Sequence, residues 1–298
     1  MTTPTLSTHV APGTRRFLPY LALVFAVCAL GFSAIFTRWA NVPGAAAGFY
    51  RMLIAATVMA LPAAANARRR TPLSWRHVGL AALAGLFFTG DIASWNTAVL
   101  IAPAANVTLL GNTSAIWAGI GGYVLFRERL QPRFWAGLAL ALAGVTGLVG
   151  NDFLTHPTLG TGDLLGLSSG FFFGLFFMAT ERARDRLSSL VCWWVSAAAS
   201  VVGLLLLALA LGQPLSGYSL YSYLNLAAVA LVTQVGGYLA LNYALGHLPA
   251  SRVAPSVLGQ PVLTALLAVP LLGQPLAPAQ VAAGVVVLAG IWLVHSPR

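Results

Sequence analysis

NTAVLIAP at residues 96–103 and NYALGHLP at 242–249 start on the same amide and end on a proline, 146 positions apart. The offset continues without a gap through Val107 and Val253, Leu125 and Leu271, Leu130 and Leu276, Pro132 and Pro278, and Gly144 and Gly290. Apolar composition alone produces scattered identities, but a constant register that keeps both prolines at the ends of apolar runs is harder to reach by chance. The chain therefore reads as two copies of one unit. Apolar runs between breakers fall near 17–38, 44–66, 77–100, 103–125, 131–150, 162–181, 187–211, 221–246, 250–272 and 277–295, five to each copy. At about 20 apolar residues per membrane span, this length accommodates ten spans with short connections and no separate soluble domain. An odd number of spans per copy makes the second copy enter the membrane in the opposite sense. The expected fold is thus an all-α integral membrane protein of ten transmembrane helices in two inverted five-helix repeats. Residues 1–16 form an N-terminal tail, 17–150 the first repeat and 162–295 the second, within a single membrane domain.

Composition agrees. Of 298 residues 58% are hydrophobic and 7% charged, against about 25% charged in soluble domains. This excludes soluble enzymes and nucleic-acid-binding proteins. The net charge of +10 comes from 16 Arg, with no Lys, against six acids. Arg15 and Arg16 precede the first run; Arg68, Arg69, Arg70 and Arg76 lie between the second and third; Arg127, Arg129 and Arg133 between the fourth and fifth. Arg182, Arg184 and Arg186 follow the sixth, Arg252 the eighth and Arg298 the tenth, whereas the loops 151–161, 212–220 and 273–276 contain none. Only Arg38 and Arg51 fall on that other side. The positive-inside rule then puts both termini and the Arg-rich loops in the cytoplasm, and nine or eleven spans would break the alternation. Arg15-Arg16 lead into a full-length apolar run with no small-residue cleavage site evident after it, so no cleavable signal peptide is expected. Cys28 and Cys192 lie within apolar runs and read as small buried hydrophobes.

GFYRMLIA at 48–55, LFRERLQPRFWAGLALALAGV at 125–145 and the five-plus-five plan together resemble the EamA branch of the drug/metabolite transporter superfamily. The resemblance spans the whole chain. Its best single signature is Glu128 followed by a glycine-spaced run to Gly144. Within the branch the sequence is most similar to bacterial aromatic amino acid exporters of the YddG type. One departure is Gln274, at the position repeat-related to Glu128, where many relatives keep an acid. The resemblance implies export of amino acids, aromatic and other neutral ones, across the bacterial inner membrane.

The residues themselves point to a site between the halves. Only Arg51 and Asp91 are ionisable groups well inside spans, where an unpaired charge costs several kcal/mol unless it faces water. Arg51 lies roughly 10 Å and Asp91 roughly 13 Å from the same side at the helical rise, so the two are expected to pair across the second and third spans. That pair reads equally as a structural ion pair or as a gating or coupling element. Gln234, Tyr238 and Asn242 repeat at i, i+4 and i+8, as do Ser256, Gln260 and Thr264, making a polar stripe on each of two apolar helices. The offset relates Asn242 to Asn96 and Gln260 to Ser114. Taken together the stripes suggest a cavity; taken singly, each residue reads as an ordinary interhelical hydrogen bond. Trp95 and Trp117 lie deeper than the other six tryptophans, which are assigned to the membrane interface, and with Tyr238 are expected to wall a cavity for a flat ring or simply to pack. Gly166, Gly170 and Gly174 form a small-residue ridge on the sixth span.

Enzymatic readings fail. Gly166-Leu-Ser168-Ser-Gly170 matches GxSxG formally, but it lies mid-span, and all five His residues lie at span ends or in tails. No P-loop, HExxH or metal-spaced Cys/His set is present, so no cofactor, metal or ATP-driven step is expected. The reading is a secondary transporter of a small amphipathic metabolite, embedded in the lipid bilayer. Its site is formed by Trp95, Asn96, Ser114, Trp117, Gln234, Tyr238, Asn242 and Gln260, and spans 1, 2, 6 and 7 rock against 3, 4, 8 and 9. Efflux of flat cationic drugs and a passive channel are the alternatives. Short loops fit a monomer.

Overall fold

The computed structural model describes residues 17–68, 74–102, 107, 110–149, 160–272 and 276–296. The tail 1–16, Arg69, Arg70, Pro103, the loop 151–159, Gln274 and Arg298 lie outside the described residues. All regular structure among the described residues is helical. Helix α1 (Leu18–Gly31) opens with a proline in its first turn, where the missing N–H is harmless, and stops at Phe32. The chain restarts as α2 (Ser33–Ala40), closed by Asn41 in the left-handed region at φ 48°, a conformation Asn tolerates better than most residues. Then come α3 (Gly44–Arg68), α4 (Trp75–Ile101), α5 (Ser114–Leu125), α6 (Pro132–Val149), α7 (Thr161–Arg184) and α8 (Ser189–Ala210). The Ser188 hydroxyl caps α8 by accepting from Val191 N at 3.2 Å.

The next span is composite. Helix α9 (Leu220–Val229) widens into a π-helical segment (Ala230–Gly237) and resumes as α10 (Tyr238–Leu245). Helices α11 (Ala250–Val257) and α12 (Gly259–Leu272) follow, separated at Leu258, and α13 (Pro278–His295) ends the described chain. Among the described residues eight helical stretches are long and apolar enough to cross a membrane, and Ser114–Leu125 and Pro132–Leu148 are shorter apolar helices. The protein is a multi-pass membrane protein.

Long helices of the two halves pack on each other. Helix α4 lies along α7, α3 along α8, α6 along α13, and α1 against the π segment and α10. The α6–α13 contact is nearly backbone to backbone: a Cβ on Gly144 would stand 2.6 Å from Val287 N, and one on Gly137 2.8 Å from Gly290 O. Small residues permit this approach where lipid supplies no hydrophobic drive for helix association. The glycine ridge of α7 works likewise, since a Cβ on Gly174 would stand 2.6 Å from Trp117 Cβ.

The two ends of the bundle differ. At one end Gln213 Oε1 accepts from the N–H groups of Ala45 and Ala46, 3.0 Å each, supplying the orphan amides at the start of α3. Beside it the Tyr50 hydroxyl donates to the Leu215 carbonyl, and Tyr50, Tyr218 and Tyr223 meet edge to face. At the opposite end two carboxylates grip the start of α11: Glu128 accepts from the Ser251 hydroxyl, and Glu181 from Ala250 N at 2.7 Å. A pocket of about 430 Å³ there gathers Arg129, Arg133, Arg182 and Arg252 from three separate connections. The Arg182 guanidinium lies 3.8 Å over the Phe126 ring, a cation–π contact.

Candidate substrate site

The break at Phe32 decides where Arg51 goes. It gives α2 its own start and brings Ser33 and Thr37, one turn apart, against α3. Arg51 Nη2 donates to Ser33 Oγ at 2.9 Å and Nη1 to Thr37 Oγ1 at 3.2 Å. From the π segment, the Gln234 side-chain oxygen accepts from Arg51 Nη2 at 3.0 Å while its amide nitrogen donates to Val229 O at 3.2 Å. Asp91 takes other partners: its Oδ1 accepts from Ser169 Oγ of α7 at 2.6 Å. Both ionisable residues are buried, Arg51 at 3% and Asp91 at 7% exposure.

The expected Arg51–Asp91 pair is not formed. Equal depth on neighbouring helices says nothing about direction, and hydroxyls from α2 and α7 reach the two groups first. The two groups nevertheless lie within electrostatic range of each other and of the Tyr238 side chain.

Tyr238 anchors an aromatic group. It stacks on Trp193 at 4.9 Å and 14°, and meets Phe88 edge-on at 4.8 Å and Phe176 at 6.0 Å. Trp193 Nε1 donates to the Gln234 backbone carbonyl at 2.6 Å. This corrects the expectation that Trp193 belongs to the interfacial belt, since it is fully buried. Proximity to a span end gives depth but not facing, and Trp193 sits one turn into α8 on its inward side. The adjacent Trp194 donates to Ala56 O at 3.0 Å. Ser33, Thr37, Ser169 and Phe88 are not among the residues expected at the site. The only signal available was the i, i+4 hydroxyl pair on the first span.

The other expected site residues lie elsewhere. Trp117 is 37% exposed and meets Phe171 edge to face at 5.1 Å, apart from the rings around Tyr238. Trp95 is half-buried and lies against Gly111, ahead of α5. Asn96 Nδ2 donates to Gly44 O at 2.7 Å, tying α4 to the start of α3. Ser114 is buried at the start of α5. Asn242 Nδ2 donates to Tyr238 O at 3.0 Å, and the Asn242 backbone carbonyl accepts from Arg184 Nε at 2.8 Å. Gln260 Nε2 donates to Leu30 O at 3.2 Å and Thr264 Oγ1 to Gly31 O at 2.9 Å. Those two carbonyls end α1, where intrahelical donors run out, so the stripe on α11 and α12 serves the break at Phe32. The third member, Ser256, bonds His295 Nε2 at 2.7 Å. Of the ten expected residues, the structure brings Arg51, Asp91, Gln234 and Tyr238 together.

A buried polar group between two packed halves suits a carrier. The profile of the EamA-like transporter family matches residues 17–150 and again 160–296. The chain belongs to the EamA-like transporter family. It is a transporter of small molecules rather than an enzyme. It is 31% identical over 202 residues to a "Probable amino-acid metabolite efflux pump" of Salmonella typhimurium, covering 64% of this chain and 67% of that protein. It is 34% identical over 232 residues to an uncharacterised protein of Pseudomonas aeruginosa, covering 77% of each. One solved crystal structure, 19% identical, superposes with a TM-score of 0.77 over 93% of this chain and 97% of that one, a likeness of fold.

Proposed function

We propose that this protein is a secondary transporter that exports amino acids, aromatic and other neutral ones, across the bacterial inner membrane by alternating access, as exporters of the YddG type do. The carrying observation is the buried group Arg51, Asp91, Gln234 and Tyr238, assembled from both halves beside a cluster of aromatic rings. The name of the Salmonella relative, an amino-acid metabolite efflux pump, supports amino acids as the cargo. Ten spans in two inverted repeats are supported by eight long and two shorter apolar helices together with the double family match. The repeats run from 17 to 150 and from 162 to 295. Gathering of Arg129, Arg133, Arg182 and Arg252 at one pocket supports a cytoplasmic location for that end, and with it for both termini. The protein works as a monomer and draws on a gradient. Trp95, Asn96, Ser114, Trp117, Asn242 and Gln260 line the path on either side of the central group.

The test is counterflow. Liposomes containing the purified protein and preloaded with unlabelled phenylalanine will take up labelled phenylalanine faster than empty ones, with saturation. A flat, unsaturable response means a channel. A second reading, efflux of flat cations, is favoured by one observation: Asp91 is not neutralised by direct contact with Arg51. It predicts that lipophilic cations, and not amino acids, drive the exchange.

A further inference from the structure

Three polar groups at the centre retain unused bonding capacity. The Arg51 guanidinium has five N–H donors; its contacts to Ser33, Thr37 and Gln234 use three. Its Nε is buried and has no partner. Asp91 accepts through Oδ1 only, and among the described residues neither its Oδ2 nor the Tyr238 hydroxyl makes a hydrogen bond. A buried polar group without a partner costs about 1–3 kcal/mol, more when charged, so the orphaned Arg51 Nε requires an explanation. The three groups also surround two opposite charges that hydroxyls hold apart rather than letting close on each other.

We propose that Arg51 and Asp91 are the two poles of a zwitterion site, Arg51 Nε and the remaining Nη1 hydrogen taking the substrate α-carboxylate and Asp91 Oδ2 its α-ammonium, with Tyr238 and Phe88 against the side chain. The inference rests on the transporter reading and specifies how cargo is held. Electrostatics make the site selective. Empty, the two charges balance each other across the gap, and a zwitterion preserves that balance while bonding both ends. A lone amine brings a second positive charge beside Arg51, and a lone carboxylate a second negative charge beside Asp91. In a low-dielectric centre either mismatch is costly. The same arrangement disfavours the flat-cation reading, because Arg51 stands in the field of any cation at Asp91.

Competition against labelled phenylalanine in the counterflow assay, with the full-length protein in liposomes, tests this. The competitors are phenylalanine, phenethylamine, which lacks the carboxylate, and 3-phenylpropanoate, which lacks the ammonium. On the unmodified protein both analogues will compete roughly tenfold or more weakly than phenylalanine, the value of one charge-assisted hydrogen bond. In Arg51→Gln the phenethylamine disadvantage shrinks and the 3-phenylpropanoate disadvantage stays; in Asp91→Asn the pattern reverses. Equal competition by all three on the unmodified protein overturns the zwitterion site and leaves an amino acid carrier standing. So does a uniform loss across all three in both variants. Absence of any amino acid counterflow removes the transport reading and this inference with it. The analogue series on the unmodified protein decides the matter even if a variant fails to fold.

Discussion

Residues 84–91 of α4 and 230–237 of the π segment stand 146 positions apart, on the offset that relates the two halves, and no residue is added between them. The first stretch continues as regular α-helix, with Thr89 Oγ1 bonding its own Gly85 carbonyl at 3.1 Å. The second opens into wide turns, and Gly236 and Gly237 stand where the first has Gly90 and Asp91. Widening exposes the Gln234 carbonyl to Trp193 and lets the Gln234 side chain reach Arg51. Such wide turns often mark functional sites. The charges show the same division: Arg51 has Ala197 at its counterpart, and Asp91 has Gly237. By contrast Gly144 and Gly290, also one offset apart, both mediate the α6–α13 contact. Packing is thus shared by the halves and site chemistry is not, which suits a ligand whose two ends differ.

That contrast can be broken at its strongest point first. Gly290→Leu would drive a side chain into the Ala141 backbone, and Gly144→Leu one into Val287; each will cost about 3 kcal/mol or more and remove the monodisperse peak in size-exclusion chromatography. Unequal outcomes for the two glycines would undo the claim of shared packing. Next in size, Arg51→Leu leaves Gln234, Ser33 and Thr37 without their common donor, and transport rate will fall roughly a hundredfold, two charge-assisted hydrogen bonds' worth. Its counterpart Ala197→Ser will change that rate by less than about twofold. Gln234→Leu removes a single bond to the guanidinium, and initial rates will drop roughly tenfold with the folded yield kept. Smaller still, Trp193→Phe deletes one N–H donor and will lower stability by about 1 kcal/mol, read as a shift in thermal unfolding midpoint. Least of all, Thr264→Val at the α1 break will cost about 0.6 kcal/mol by the same measurement.

Helix placement was legible because prolines, glycines and arginines punctuate long apolar runs. Pro132 and Pro278 begin α6 and α13, and Asn41 ends α2. The breaks inside runs were not. Phe32 and Leu258 lie inside long apolar runs, so hydropathy shows continuous spans at both. The break at Phe32 is served by Gln260 and Thr264, whose spacing in the sequence equally suits a cavity stripe. Facing was not legible either. Arg51 and Asp91 are expected at one depth, yet they bond different hydroxyls; Trp117 and Tyr238 share a residue class, yet Trp117 meets Phe171 apart from the rings around Tyr238. Facing depends on which helices pack together, and uniformly apolar spans carry little periodicity to reveal it.

The clasp of Gln213 on Ala45 and Ala46 has a practical use. One side chain from the connection between α8 and α9 closes the first turn of α3, so the clasp exists only while those two parts remain together. A pair of spectroscopic labels, one in the 212–219 connection and one near Asn41, would report its state as a distance. Such a ruler would read whether this end of the bundle is shut without reference to cargo, and so separate the movement of the protein from the identity of what it carries.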